Sequence, residues 1–226
     1  MTASVSHATG PLAQTALQEQ PLGGQAARAT NRRTLHELGD GRLAERHLEG
    51  DPQAFGALVD RYQTRLLNFI NRSVRDRERA EDLVQEVFIR VFRHLHRFDR
   101  TKKFSTWIYT IASNLAKNEV RSRSRNPLVL FPNVKMDSDA GQRPLEVEDV
   151  TARPDHLFRR AYVANAVTRC VGQLPERHRH VFVLRELEGK SYRDIAAITG
   201  CNLGTVRSRL SRARRTFAQL IKPMLD

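Results

Sequence analysis

The sequence predicts an all-α protein made of two helical domains joined by a flexible linker. Three observations carry that reading. Apolar residues recur at three- and four-residue intervals through much of residues 34–126 and again through 155–226. No run alternates apolar and polar residues between hairpin turns, so strands are not expected. Between the two periodic blocks, residues 127–154 are interrupted by proline, carry 5 acidic against 3 basic residues, and show no sustained helical period, as a linker would.

The elements follow in chain order. Residues 1–33 are rich in Ala, Gln, Thr and Gly with little apolar pattern, and a disordered tail is expected there. A short leading helix falls around Leu35 to Leu48. Asp51 is a good N-cap with Pro52 at the first helical position, and Phe55, Leu58, Val59, Tyr62, Leu66, Phe69 and Ile70 then mark one helical face. A second long helix shows Ala80, Leu83, Val84, Val87, Phe88, Val91, Phe92 and Leu95 as its core-facing set. A third shows Phe104, Trp107, Ile108, Ile111, Ala112 and Leu115. In the second domain, Phe158, Tyr162, Ala166 and Val167 form a stripe, and Leu174-Pro175-Glu176 opens another helix. Ser191 with Asp194 three residues on resembles a capping box. The short helix it starts ends at Gly200, a position suited to positive φ. Asn202 can cap the last helix, whose expected buried stripe is Leu203, Val206 and Leu210.

Charge narrows the function. Lys and Arg total 38 against 25 Asp and Glu, a formal net charge of +13. Residues 45–126 hold 17 basic and 11 acidic residues, and residues 155–226 hold 14 and 6. Two basic blocks thus flank a mildly acidic segment, which favours a polyanionic partner, nucleic acid before membrane. The two cysteines, Cys170 and Cys201, cannot build a disulfide framework. The N-terminal residues lack the basic start and apolar run of a signal peptide. No stretch approaches the roughly 20 apolar residues of a membrane span. A cytoplasmic protein is expected.

The last two helices have helix-turn-helix spacing, with small Ala196 at the crossing and Gly200 at the turn. Exposed on the second helix are Arg207, Ser208, Arg209, Ser211, Arg212, Arg214 and Arg215, and residues 200–222 contain six basic residues and no acid. In a major groove, Arg donates two hydrogen bonds to guanine while its neighbours neutralise phosphates. Five arginines in nine residues repel one another and ask for an anion; a solvated basic face is the plainer alternative. In the first domain, Arg97, Arg100, Lys102 and Lys103 lie beside Phe98, Phe104, Trp107 and Tyr109. Rings interleaved with cations suit single-stranded DNA, through stacking and backbone contacts. Trp107 is equally readable as a core residue.

Asp82-Leu-Val-Gln85-Glu86-Val-Phe88, Phe104-Ser-Thr-Trp107-Ile-Tyr109 through Asn114, Leu174-Pro-Glu176, and Gly204-Thr-Val-Arg-Ser-Arg-Leu210 together resemble bacterial RNA polymerase sigma factors. The similarity is to the small extracytoplasmic-function group of the sigma-70 family and runs from about residue 40 to 222. It implies residues 34–126 as sigma region 2, 127–154 as a linker and 155–226 as sigma region 4. It implies that Asp82, Gln85 and Glu86 dock on the β′ subunit of core RNA polymerase. It implies that Phe98, Lys102, Lys103, Trp107, Asn114, Lys117 and Asn118 read and melt the −10 element. Arg207, Ser208, Ser211, Arg212 and Arg215 match the readers of the −35 element. The partners implied are core polymerase, through β′ and β, promoter DNA, and an anti-sigma factor that could hold the protein near the inner membrane.

Rival readings are few. Gly189-Lys190-Ser191 mimics the end of a P-loop, but the glycine needed five positions upstream is Leu184. Cys170, His178, His180 and Cys201 lack zinc-finger spacing, and no nucleophile–base pattern appears, so neither a cofactor, a metal nor an enzyme is expected. An autonomous DNA-binding regulator remains open, as does an RNA-binding scaffold. The former would shift promoter duplex unaided; a sigma factor would do so mainly with core polymerase.

Overall fold

The computed structural model describes residues 35–125 and 154–225. The expected tail and residues 127–153 of the expected linker lie outside the described residues, as do the side chains of 154–161, Phe158 included. The described residues form two helical domains and contain no strand.

The first domain comprises α1 (Asp40–Leu48), α2 (Pro52–Val74), α3 (Arg77–His94), a 3-10 turn (Leu95–Arg97) and α4 (Phe104–Arg125). The leading helix expected around Leu35 to Leu48 is interrupted: residues 35–37 are helical, Gly39 adopts extended backbone (φ −68°, ψ 156°), and α1 starts after it. Leu35 still reaches the core. Asp51 caps α2 as expected, its Oδ1 accepting from the Gln53 amide at 3.0 Å with Pro52 in the first turn. Asp76 caps α3 by accepting from the Arg79 amide at 3.0 Å. Arg75, between the two helices, stands in the left-handed region at φ 60°.

The long helices α2, α3 and α4 pack on one another, with α1 against α2. Their shared core contains Leu58, Leu66, Phe69, Ile70, Val87, Val91 and Ile108, all essentially inaccessible. Burying each such side chain contributes about 1.5–3 kcal/mol, far more than helix propensity alone supplies. Phe92 departs from expectation. Expected in the core set, it is 56% exposed, because Val91, four residues after Val87, takes the core position and turns its neighbour outward.

The second domain comprises α5 (Pro154–Gln173), α6 (Glu176–Phe182), a π turn (Val183–Leu187), α7 (Tyr192–Thr199) and α8 (Leu203–Leu225). α8 is the spine on which α5, α6 and α7 pack. The Ser191 capping box forms in both directions, Ser191 Oγ accepting from the Asp194 amide at 3.1 Å and Asp194 accepting from the Ser191 amide at 3.3 Å. Gly200 ends α7 at φ 69°, with its amide on the Ala196 carbonyl at 3.0 Å. Asn202 caps α8, accepting from the Thr205 amide at 2.7 Å. Val206, Leu210 and Ala213 are buried, whereas Leu203, expected in that stripe, is 37% exposed in the first turn.

Substituting Gly200 tests the turn. No heavy atom lies within 4 Å of where a Cβ would stand, so the cost is backbone strain alone, about 1–2 kcal/mol for a left-handed residue. Gly200→Ala is expected to lower the urea unfolding midpoint by the equivalent of about 1 kcal/mol while leaving the helical circular dichroism unchanged.

Candidate nucleic-acid interface

The second helix of the helix-turn-helix, α8, divides cleanly. Val206, Leu210 and Ala213 anchor one side, and Arg207, Ser208, Ser211, Arg212, Arg214 and Arg215 are exposed on the other. Arg214 is committed elsewhere, to Glu186 at 2.7 Å. Ser208 Oγ donates to the Thr205 carbonyl at 3.1 Å. Arg207, Arg212 and Arg215 have no ion-pair partner among the described residues. Three uncompensated guanidiniums and two hydroxyls on one face form a surface ready for phosphates and base edges.

In the first domain, Phe98 lies 5.2 Å from Trp107 and 5.4 Å from Phe104, centroid to centroid, and Phe104 lies 5.7 Å from Trp107. Phe98 and Phe104 are buried and Trp107 is half-buried, so Trp107 shares the packing of the core and still presents an accessible edge. The loop before α4 is stiffened by Asp99, which accepts from the Thr101 amide at 3.0 Å and its hydroxyl at 2.7 Å. Lys102 projects into solvent, 3.5 Å from Asp99. Asn114 and Asn118 are exposed on α4.

Other groups of the first domain, most of them on α4 or just before it, meet the second domain. Lys103 and Thr106 both donate to Asp194 at 3.1 Å. Lys117 donates to the Thr199 carbonyl at 3.2 Å, and Ser113 pairs with His180 Nε2 at 2.9 Å. The Tyr109 hydroxyl donates to Glu188, which also receives Arg65 at 3.3 Å. Lys190 caps the Tyr109 ring at 4.3 Å. Burial, reinforced by Glu188, raises the Tyr109 hydroxyl well above the ordinary tyrosine value. Desolvation opposes ionisation of Asp194, but hydrogen bonds from Ser191, Lys103 and Thr106 outweigh it and hold its carboxyl below the usual value. Of the residues expected at the −10 element, Lys103 and Lys117 are therefore engaged by the second domain. Lys102, Trp107, Asn114 and Asn118 are not.

On α3, Asp82 and Gln85 are exposed and Glu86 half-buried. Asp82 lies 3.4 Å from Arg79, and Glu86 pairs with Arg90 at 2.7 Å. Beside them stand Ile89, 46% exposed, and Phe92, the latter edge-on to Phe55 at 5.2 Å. Ile89 and Phe92 went unrecognised in the sequence as surface residues. The signal was available: they lie four and seven residues after Gln85, on its own helical face.

An arginine-faced helix-turn-helix beside a basic domain with accessible rings defines a DNA-binding protein. The family model for Sigma-70 region 2 matches residues 58–126, and that for Sigma-70, region 4 matches residues 164–217. The RNA polymerase sigma-H factor of Pseudomonas aeruginosa is 38% identical over 193 residues, covering 82% of this chain and 95% of that protein. The ECF RNA polymerase sigma-E factor of Escherichia coli K12 is 36% identical over 195 residues, covering 84% and 97%. In fold, the chain is similar to CnrH in complex with the cytosolic domain of CnrY, at TM-score 0.57, 24% identity and coverage of 81% and 97%. It is similarly close to the sigma factor RpoE in complex with the anti-sigma factor NepR from Bartonella quintana, at TM-score 0.55, 24% identity and coverage of 74% and 96%.

The chain belongs to the sigma-70 family of RNA polymerase sigma factors, in the extracytoplasmic-function group. Such proteins are DNA-binding initiation factors that bind core polymerase and direct promoter-specific transcription. Among the described residues no helix is long and apolar enough to cross a membrane.

The Ser113–His180 contact makes a pH prediction. Burial, then the nearby cations Lys117, Arg179 and Arg209, push the His180 imidazole down to about 3. The unfolded chain takes up that proton near pH 6.5, so stability is lost as pH falls from there towards 3. The carboxylates with shifted values titrate below the same window, and the neighbouring His178, also lowered by burial, adds in the same sense. Stability is expected to drop by about 1–2 kcal/mol between pH 6.5 and 5. His180→Asn should flatten that slope in urea unfolding measured at the two pH values.

Proposed function

We infer that residues 34–126 form the polymerase-binding and −10-melting domain and residues 155–226 the −35-reading domain, with 127–154 as linker and 1–33 as tail. Asp82, Gln85 and Glu86, joined by Ile89 and Phe92, make the face that docks on the β′ subunit. Charged and apolar groups exposed together on one helix face support that reading, since a partner would desolvate the apolar pair. Phe98, Lys102, Lys103, Trp107, Asn114, Lys117 and Asn118 act at the −10 element. Unstacking a base costs a few kcal/mol, and the part-exposed ring of Trp107 and the exposed Lys102 offer stacking and a cation to offset it.

Arg207, Ser208, Ser211, Arg212 and Arg215 read the −35 element. The observation that carries the reading is the face of α8, where three arginines stand without counter-ions among the described residues. Because Lys103 and Lys117 contact the second domain, the −10 face becomes fully available only when the two domains part. An anti-sigma factor is the partner proposed to control this step; the solved relatives in complex with CnrY and NepR support it. A protein of this kind works in the cytoplasm, held near the inner membrane where its anti-sigma factor is anchored there.

Run-off transcription with core polymerase tests the proposal. The wild type should start discrete RNA chains at promoters with both elements. Arg212→Ala should reduce −35-dependent initiation about 5- to 100-fold, the loss of one bidentate base contact worth about 1–3 kcal/mol, while core binding persists. Gln85→Ala should weaken capture of core polymerase in a pull-down. Equal transcription by Arg212→Ala and wild type would remove that residue from −35 readout.

A further inference from the structure

A cavity of about 350 Å³ opens where α4 meets α6, α7 and α8. It is formed jointly by the two domains, and of its cations Lys117 alone is also assigned above to the −10 element; Arg121, Arg177 and Arg209 belong to none of those sets. Lys117 and Arg121 enter it from α4, Arg177 from α6 and Arg209 from α8, against one acid, Glu176. None of the four cations has a carboxylate within ion-pair distance among the described residues. Lys117 reaches only the Thr199 carbonyl, and Arg209 only the Cys201 thiol at 3.1 Å. Arg121 and Arg177 have no side-chain partner among the described residues. Burial first, with Arg209 and Arg121 adding to it, pushes the Lys117 amine below its ordinary value. Four cations drawn to one recess with so little compensation leave a charge deficit that an anion would fill.

The geometry points to a binding site for a small, multiply charged phosphate anion, held by Lys117, Arg121, Arg177 and Arg209 and bridging the two domains. Guanidiniums match phosphate oxygens in bidentate geometry and Lys adds a point charge. The volume equals that of about a dozen waters, room for a di- or triphosphate group. The lining offers no phenylalanine, tyrosine or tryptophan for a nucleobase, so the phosphate chain carries the affinity. Because the residues come from both domains, the bound anion favours their docked arrangement, in which Lys103 and Thr106 are held by Asp194.

Isothermal titration of the full chain at constant ionic strength, with pyrophosphate, ATP and sulfate as separate probes, tests this. Pyrophosphate is expected to bind saturably with one site per chain. A free diphosphate source predicts pyrophosphate at least as tight as ATP; a nucleotide source predicts ATP tighter, and either result supports the site. Arg121→Ala and Arg177→Ala, both at exposed positions, should each weaken binding at least tenfold with unchanged circular dichroism. Arg212→Ala, outside the cavity, should leave it intact. Absence of saturable binding, equal affinity in Arg121→Ala and Arg177→Ala, or sulfate matching pyrophosphate would each overturn the proposal, the last by reducing the effect to charge screening.

Discussion

Two carboxylates carry the ion pairs between the two domains among the described residues. Glu188 receives Tyr109 and Arg65, and Asp194 receives Lys103 and Thr106. Around them the junction is rich in cations, with Arg72, Lys117, Arg179 and Lys190 all partly or wholly withdrawn from water and lowered in pKa by that withdrawal. A chain with a net charge of +13 has folded two positive domains onto one another, and these carboxylates, with the Ser113–His180 contact and Lys117 on the Thr199 carbonyl, offset the repulsion among the cations.

The helix-turn-helix shows how local rules build a reading head. Capping at Ser191 and Asn202 and the left-handed Gly200 fix where α7 ends and α8 begins. The buried trio Val206, Leu210 and Ala213 then sets the rotation of α8. Once that rotation is set, the arginines have one direction in which to point. Asp194 has two roles, closing the capping box and gripping the first domain, so the start of α7 and the docking of the domains are one construction.

Much of this was legible in the sequence. The helices of the first domain follow from 3.6-residue periodicity, and the capping box, the turn glycine and the arginine face from short-range chemistry. The expected interior place of Phe92 fails because periodicity admits the adjacent Val91 and Phe92 to one stripe while packing has room for one, and that of Leu203 because it stands in the first turn of α8, where it is 37% exposed. Of the exposed pair, Phe92 is hidden by reading an apolar residue as interior, whereas Ile89 falls outside the core stripe and signals a surface only beside Phe92. Docking of the domains was illegible for a different reason. It depends on Glu188, Asp194 and His180 meeting α4 across separations of 67 to 91 residues, and no local pattern reports a contact of that range.

The π turn over Val183–Leu187 gives the chain more than an irregularity. Glu186 emerges from it towards Arg214 within its own domain, and Glu188, just past it, faces Tyr109 in the other. Ordinary winding advances about 100° per residue, and the wider loop resets that phase by roughly one residue. Shortening the segment by one position would rotate everything after it, swinging Glu188 off the tyrosine while the hydrophobic interior kept its composition. Insertion or loss of a single codon there is thus a route by which relatives of this protein could tune how firmly the halves clasp, without altering any residue that touches DNA.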